Sequence, residues 1–250
     1  MMRCWFLDPA TAMNPNLRFT HHVPGDVPGR RDGLIVFCSA LPSLLDAWLA
    51  LEAGGFVDDS GQAAMRSWAE SFLEWLVTDP MSLAHGAEAN NHGTYHDFLV
   101  AYLMLFLGRR EETARAIGEA LDLRLSTQVS DGGEQPMETR RTLSSQYSLY
   151  NLKALMSLAR LGESVTVHGW HRPAGRPAIR QATEFLYRHA TGDVAWPYPQ
   201  IEPPGWWFLV PLCIAANRAY GQVFDVERIG RGVPAGAVPA ENDWRWYDFT

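Results

Sequence analysis

Residues 90–105 read NNHGTYHDFLVAYLML. The paired asparagines at the start are favourable helix caps, and apolar side chains follow at α-helical spacing at Phe98, Ala101, Tyr102 and Leu105. A helix is therefore predicted to begin beside the asparagines. Because the same periodicity recurs along most of the chain, an all-α fold is predicted.

Six further apolar stripes at helical spacing bring the expected number of helices to roughly seven, and no segment alternates like a β-strand. The stripes are Leu44, Leu45, Trp48 and Leu49; Met65, Trp68, Phe72 and Trp75; Ala114, Ile117, Leu121 and Leu125; Leu149, Leu152, Leu155 and Ala159; Ile179, Ala182 and Leu186; and Leu209, Leu212, Ala215 and Ala216. Short connections at 53–55 and 108–110 predict antiparallel hairpins. The length of 250 residues favours one domain over residues 1–250.

Four longer segments, 13–33, 78–92, 126–146 and 191–206, separate the hairpins. Long loops are uncommon in compact domains and usually carry function. Because one complete up-and-down hairpin lies between each consecutive pair, all four are expected to emerge at the same end of the helix array. The sequence therefore predicts a functional site at that end.

Composition narrows the classes of partner. A net charge of −7 argues against a nucleic-acid-binding protein. No apolar run is long enough to span a membrane, and no apolar leader follows the N-terminus.

The three cysteines, Cys4, Cys38 and Cys213, predict neither a disulfide framework nor a zinc site. His21 and His22 lack further ligands at useful spacing, so no metal site is expected there.

An amide, an imidazole, a guanidinium and a phenol, at Asn91, His92, Arg141 and Tyr147, are the groups that β-elimination on a uronic acid requires. Asn91 and Arg141 would neutralise the sugar carboxylate, an effect worth roughly 3–4 kcal/mol per well-placed donor. Tyr147 would protonate the leaving oxygen, and either Tyr147 or His92 would remove the C5 proton. Each positioned acid or base contributes on the order of a hundred- to ten-thousand-fold in rate.

Each of these residues also has a purely structural interpretation. In that interpretation, Asn91 caps a helix and His92 is a structural histidine whose hydrogen bonds are made within the protein. The ring of Tyr147 packs while its hydroxyl is hydrated, and Arg141 forms a surface ion pair. The convergence of all four at one end of the array favours the catalytic interpretation. Glu138 is expected either to orient Arg141 or His92, or to be a solvated carboxylate.

The segment 196–200, Trp-Pro-Tyr-Pro-Gln, predicts a rigid extended turn that offers two aromatic faces to a sugar. Together with segments 90–94, 135–142 and 147–152, it resembles the alginate lyase superfamily of polysaccharide lyases. Residues 13–17 and 29–30 resemble an upstream segment of the same family.

The resemblance implies an α/α toroid of helical hairpins that cleaves polyuronates by β-elimination without a cofactor. It assigns the amide to Asn91, the imidazole to His92, the phenol to Tyr147 and the guanidinium to Arg141, with Arg140 as the alternative. The residues expected to bind the acidic polysaccharide are Arg140, Glu138, Gln146, Trp196, Tyr198, Gln200 and Asn16. Alginate and glucuronan are the leading substrates.

Relatives usually carry a signal peptide and more than a hundred further residues before the segment that 13–17 resembles. The toroid is therefore expected to be N-terminally short and incomplete, with apolar faces that are exposed unless a partner covers them, so self-association is a possible outcome. The resemblance implies a periplasmic or secreted location, although this sequence displays no export signal.

Two rival functions stay open at this point. One is a catalytically inactive, carbohydrate-binding relative with an open groove. The other is a hydrolase that uses paired carboxylates, for which Asp97, Asp131, Glu134 and Glu138 supply acids without forming a recognisable pair.

Overall fold

The computed structural model describes residues 2–18, 40–173 and 175–230. Within these ranges the chain forms eleven α-helices, one 3₁₀ helix at Trp206–Phe208 and no strand, which confirms the all-α prediction. The helices are α1 (Met2–Phe6), α2 (Leu41–Ala53), α3 (Asp59–Thr78), α4 (Pro80–Gly86), α5 (Asn91–Phe106), α6 (Arg110–Gln128), α7 (Pro136–Thr139), α8 (Ser144–Glu163), α9 (Ala178–Ala190), α10 (Leu209–Tyr220) and α11 (Val226–Gly230).

The seven longer helices, α2, α3, α5, α6, α8, α9 and α10, coincide with the seven apolar stripes. The prediction that 78–92 and 126–146 contain no helix is wrong, because α4 and α7 lie inside them. Both are too short to display a period of 3.6 residues. Their start signals are nevertheless present, since Asp79 caps α4 by accepting a hydrogen bond from the Met81 amide at 3.0 Å, and a proline opens each helix.

The chain divides into two compact units, and the division runs through α5 and α6. The first comprises Met1–Glu88 and His92–Ile117, and the second comprises Ala89–Asn91 and Gly118–Thr250. The prediction of one domain over residues 1–250 stays a prediction, as does the meeting of the four long segments at one end. His21, His22, Gly29 and Arg30 lie outside the described residues.

In the first unit, the segment after α1 packs against α3. The indole Nε1 of Trp68 donates to the Met13 carbonyl at 2.9 Å, the Phe6 ring meets the Trp68 ring edge-on, and Leu17 is completely buried. This packing holds the segment that carries Asn16.

In the second unit, α9 packs against both α8 and α10. The stripe Leu149, Leu152 and Leu155 faces this core. The loop before α7 touches α9 at Gly133, whose φ is +85° and where an added Cβ would lie 2.1 Å from a backbone oxygen of α9. Only glycine fits both the angle and the contact. The start of α7, and the functional side chains around it, are thereby fixed on the unit.

Across the described residues, no helix is both long and apolar enough to cross a membrane.

Candidate functional site

Asn91 and Glu138 form a buried pair in the second unit. The backbone N–H of Asn91 donates to Glu138 Oε1 at 2.6 Å, and the side-chain Nδ2 lies 3.0 and 2.9 Å from Oε1 and Oε2. Glu138 is 1% exposed and Asn91 is completely buried. The alternative of a solvated Glu138 is therefore wrong, and the carboxyl group holds the amide in place.

Burial raises the pKa of Glu138 above its ordinary value, although the hydrogen bonds from Asn91 and the positive charges of Arg141 and Arg140 oppose the rise. Asn91 Oδ1 accepts no hydrogen bond from any described residue. Seen from Nδ2 of Asn91, the two oxygens of Glu138 lie close together in direction, whereas the two N–H bonds of the amide point about 120° apart. The two N–H groups therefore cannot each point at one oxygen. One N–H can donate to both oxygens, which leaves the second N–H for another acceptor.

Helix α7 places Glu138 and Arg141 on the same turn of backbone. Pro136 occupies its first turn, and the Arg141 amide donates to the Glu138 carbonyl at 3.0 Å just after its end. Because the chain turns here, the carboxylate of Glu138 is buried while Arg141 is half-buried and Arg140 is exposed. Neighbouring arginines thus have different environments.

Arg141 lies on the ring of Tyr147. The guanidinium carbon is 4.1 Å from the ring centroid, the geometry of a cation–π contact. Arg141 forms no ion pair with any described carboxylate, so the surface ion-pair interpretation is not what the structure contains. Tyr147 lies in the first turn of α8, and its hydroxyl makes no hydrogen bond to a described residue.

A buried amide network supports the segment that leads into Asn91. Asn151 Nδ2 donates to Gln128 Oε1 at 2.9 Å and to Gln135 Oε1 at 2.8 Å, and Gln128 Nε2 donates to the Asn90 carbonyl at 3.2 Å. All three side chains are buried. Sequence reasoning missed them, although Asn151 stands among the apolar residues of α8, which is a detectable signal.

Hydrogen bonds of Gln200 connect the segment 196–202 to the start of α8. Its Oε1 accepts from the Ser145 amide and hydroxyl, both at 3.1 Å, and its Nε2 donates to Gln146 Oε1 at 2.5 Å. An antiparallel bridge between Leu143 and Gln200 adds backbone pairing. The predicted binding residues Gln146 and Gln200 are therefore bonded to each other, one residue before Tyr147.

Trp196 is half-buried beside this junction. Its Nε1 donates to Ser144 Oγ at 2.8 Å, and rings surround it at centroid distances of 4.9 Å (Tyr198), 5.0 Å (His189) and 5.3 Å (Trp206). Burial raises the pKa of Tyr198, and the charge and hydrogen bond of Glu134 raise it further. The cluster is a fixed aromatic surface that is only partly covered.

His92 and Asn16 belong to the first unit. His92 follows Asn91 in α5 and its Nδ1 lies 2.9 Å from His85 Nδ1, with the two rings stacked. Asn16 Oδ1 accepts a hydrogen bond from the Arg18 amide at 3.2 Å. The other predicted site residues all lie in the second unit. His85 is a further residue that sequence reasoning missed.

The family model for alginate lyases matches residues 1–196. The chain belongs to the alginate lyase family. The fold is also similar to the crystal structure of an alginate lyase from Bacteroides ovatus, with a TM-score of 0.77 and 24% sequence identity over 92% of this chain. The chain spans 62% of the length of that structure. No curated protein matches the chain.

The likeness to the Bacteroides ovatus structure confirms the predicted fold class, an all-α fold of the α/α-toroid type. The match to the alginate lyase family covers Asn91, Glu138, Arg141 and Tyr147 and ends at Trp196. Tyr198 and Gln200 therefore lie beyond the family match, although Gln200 is bonded to residues within it.

Replacing Glu138 by alanine is expected to lower the free energy of unfolding by about 2–5 kcal/mol, because two buried donors of Asn91 would lose their acceptor. Denaturant unfolding followed by circular dichroism measures the change. Glu184→Ala is the matched control: Glu184 pairs with Arg180 at 2.8 Å on the surface, and its loss should cost at most about 0.5 kcal/mol. Equal losses for both variants would contradict the anchoring role of Glu138.

Proposed function

We propose that the chain acts as a polysaccharide lyase that cleaves uronate-containing polysaccharides of the alginate or glucuronan type by β-elimination. The observation that carries the proposal is the grouping of Asn91, Glu138, Arg141 and Tyr147 in one unit of a chain that belongs to the alginate lyase family. The four residues come from three separate segments.

Asn91 and Arg141 neutralise the carboxylate of the substrate. The amide of Asn91 is held by Glu138 and is proposed to donate its second N–H to a substrate oxygen, while Arg141 forms no ion pair with a described carboxylate. Two such donors favour the transition state because negative charge builds up on the carboxyl group as the C5 proton leaves. Donors fixed in advance need no reorganisation during the reaction.

Tyr147 and His92 are the proton-transfer groups. In the reaction the C5–H bond and the C4–O bond break, a C4=C5 double bond forms, and the leaving oxygen takes up a proton. The hydroxyl of Tyr147 supplies that proton, and Tyr147 or His92 accepts the one from C5. The electron pair of the C5–H bond becomes the new double bond, so the reaction needs no oxidant and no cofactor.

The remaining residues are proposed to bind the polymer. Trp196 and Tyr198 offer aromatic faces to sugar rings, and the exposed Arg140 attracts acidic groups at longer range. Gln146 is proposed to contact the chain next to Tyr147, while Gln200 holds Gln146 in place. Asn16, in the first unit, stays a predicted contact.

Incubation with alginate, polymannuronate or glucuronan tests the proposal. The expected result is a rise in ultraviolet absorbance from the conjugated double bond at the new non-reducing end, with no rise for a neutral glucan. Reducing ends released without that absorbance would indicate a hydrolase. Binding without either signal would indicate an inactive carbohydrate-binding relative.

Membership of the alginate lyase family supports a periplasmic or secreted location. Self-association stays a prediction, and sedimentation of the purified chain would measure it.

A further inference from the structure

Asn151 lies in α8 four residues after Tyr147, so the two residues are neighbours on the surface of that helix. The Asn151 side chain is completely buried. Its Nδ2 donates to Gln128 Oε1 at 2.9 Å and to Gln135 Oε1 at 2.8 Å. The two acceptors belong to different residues, so each N–H of the amide can serve one of them.

The orientation of each glutamine is fixed at its other end by a backbone carbonyl. Gln128 Nε2 donates to the Asn90 carbonyl at 3.2 Å, and Gln135 Nε2 donates to the Ser148 carbonyl at 2.9 Å. If either amide were turned over, its nitrogen would face the nitrogen of Asn151 and its oxygen would face a carbonyl. Asn151 must therefore act as a double donor in this network.

The peptide group between Asn90 and Asn91 is held on both sides. Its carbonyl accepts the hydrogen bond from Gln128, and its N–H donates to Glu138 Oε1 at 2.6 Å. Because the peptide is planar, it cannot turn without loss of one of these hydrogen bonds. The network therefore acts on the backbone that bears the Asn91 side chain.

On the other side of the network, Gln135 connects α7 with α8. Gln135 is the N-cap residue of α7, and its carbonyl accepts a hydrogen bond from the Glu138 amide at 2.9 Å. Its side chain bonds to Asn151 and to the carbonyl of Ser148, the residue after Tyr147. The position of α7 relative to Tyr147 therefore depends on the same network.

Stability alone does not explain a polar residue at position 151. Asn151 Oδ1 is buried and accepts no hydrogen bond from a described residue, which is unfavourable for a buried oxygen. Buried positions nearby on α8 are apolar, at Leu149, Leu152 and Leu155. These observations favour a role for Asn151 in holding separate segments together.

We propose that Asn151 is a positioning residue that fixes the Asn91 amide relative to the Tyr147 phenol. It acts through Gln128 on one side and through Gln135 on the other, and it takes no part in proton transfer. The proposal rests on the lyase function proposed above. Because a displacement of about 1 Å between reacting groups can cost about a hundredfold in rate, loss of this link is expected to lower kcat.

Hydrogen exchange of the Asn91 backbone N–H, measured by NMR on the full chain without substrate, tests the proposal. Asn151→Leu removes both donated hydrogen bonds, so the peptide group of Asn91 is expected to open locally and its exchange to become about tenfold faster or more. The other buried amides of α8 should change only as much as the global stability does.

Asn217→Leu is the matched control. Asn217 is a buried asparagine of α10 in the same unit, and its Nδ2 donates to the Phe224 carbonyl at 2.8 Å. Its Oδ1 accepts from the Val223 and Phe224 amides at 2.9 and 2.8 Å. Its replacement is expected to lower the unfolding midpoint without local opening at Asn91.

Kinetics on the polymer that gives the absorbance signal supply the second readout. Asn151→Leu is expected to lower kcat by about ten- to a hundredfold with KM little changed, because the catalytic groups are present but displaced. Asn217→Leu should keep the wild-type kcat. Gln128→Met removes only one of the two links and should fall between the wild type and Asn151→Leu, which provides the test if Asn151→Leu does not fold.

The proposal would be overturned if, at equal loss of stability, Asn151→Leu changed Asn91 exchange and kcat no more than Asn217→Leu did. Wild-type exchange at Asn91 in a folded Gln128→Met would overturn it as well. If the wild type acted on no uronate polymer, the lyase function would fail separately, and the exchange measurement would still decide whether Asn151 holds Asn91 in place.

Discussion

Replacing Tyr147 by phenylalanine is expected to lower the initial rate of absorbance increase on a uronate polymer by at least about a hundredfold, because the hydroxyl is the proposed proton donor to the leaving oxygen. The aromatic ring remains, so the cation–π contact with Arg141 persists. The hydroxyl forms no hydrogen bond with a described residue, so its removal breaks no hydrogen bond within the described part of the chain. KM and the unfolding midpoint should therefore stay close to those of the wild type.

Tyr187→Phe is the matched control for this change. The Tyr187 hydroxyl donates to the Asp225 carbonyl at 3.0 Å in the same unit, and Tyr187 has no proposed role in the reaction. Its removal should leave the absorbance rate nearly unchanged. A Tyr147→Phe variant that kept more than half of the wild-type rate would remove Tyr147 from the mechanism and leave His92 as the candidate for both proton transfers.

Replacing Arg141 by alanine is expected to reduce kcat by about a hundred- to a thousandfold, the usual effect of removing one preorganised donor from developing negative charge. Arg141→Lys should fall between the alanine variant and the wild type, because lysine keeps the charge but loses the planar fork that binds a carboxylate through two N–H groups. Steady-state absorbance assays at several polymer concentrations separate kcat from KM.

The adjacent arginine provides the discriminating comparison. Arg140 is exposed whereas Arg141 rests on the Tyr147 ring. Arg140→Ala is therefore expected to raise KM modestly through weaker attraction of the polyanion, and this effect should diminish with added salt. The reverse pattern, with kcat lost in Arg140→Ala and retained in Arg141→Ala, would assign the neutralising role to Arg140.

Much of the fold could be predicted because its long helices bury one continuous apolar stripe each, and a stripe is visible in sequence. The short helices α4 and α7 could not be found this way, since four to seven residues complete at most two turns. Their signals were local, a capping aspartate before one and a proline at the start of each. Asp79 and Pro136 mark helix starts inside the two segments for which hydrophobic periodicity predicts loops.

Side-chain partners within the site were harder to predict. The residue types at Asn91, Arg141 and Tyr147 indicated the chemistry, yet the acceptor for Asn91 lies 47 residues away at Glu138. Such a pair depends on how α5 and α7 meet, which no local pattern encodes. The His85 contact is closer in sequence, but it depends on the direction in which the chain leaves α4.

The contact between Arg141 and Tyr147 limits how the phenol can move. Rotation of the ring about the Cα–Cβ bond would break the cation–π contact with the guanidinium. The contact therefore restricts this rotation and limits the positions that the tyrosine oxygen can occupy. Uronic acids that differ in configuration at C5 present their hydrogen from opposite sides of the sugar. One epimer would meet the tyrosine oxygen with both its C5 hydrogen and its leaving group, whereas the other would require a second base on the far side.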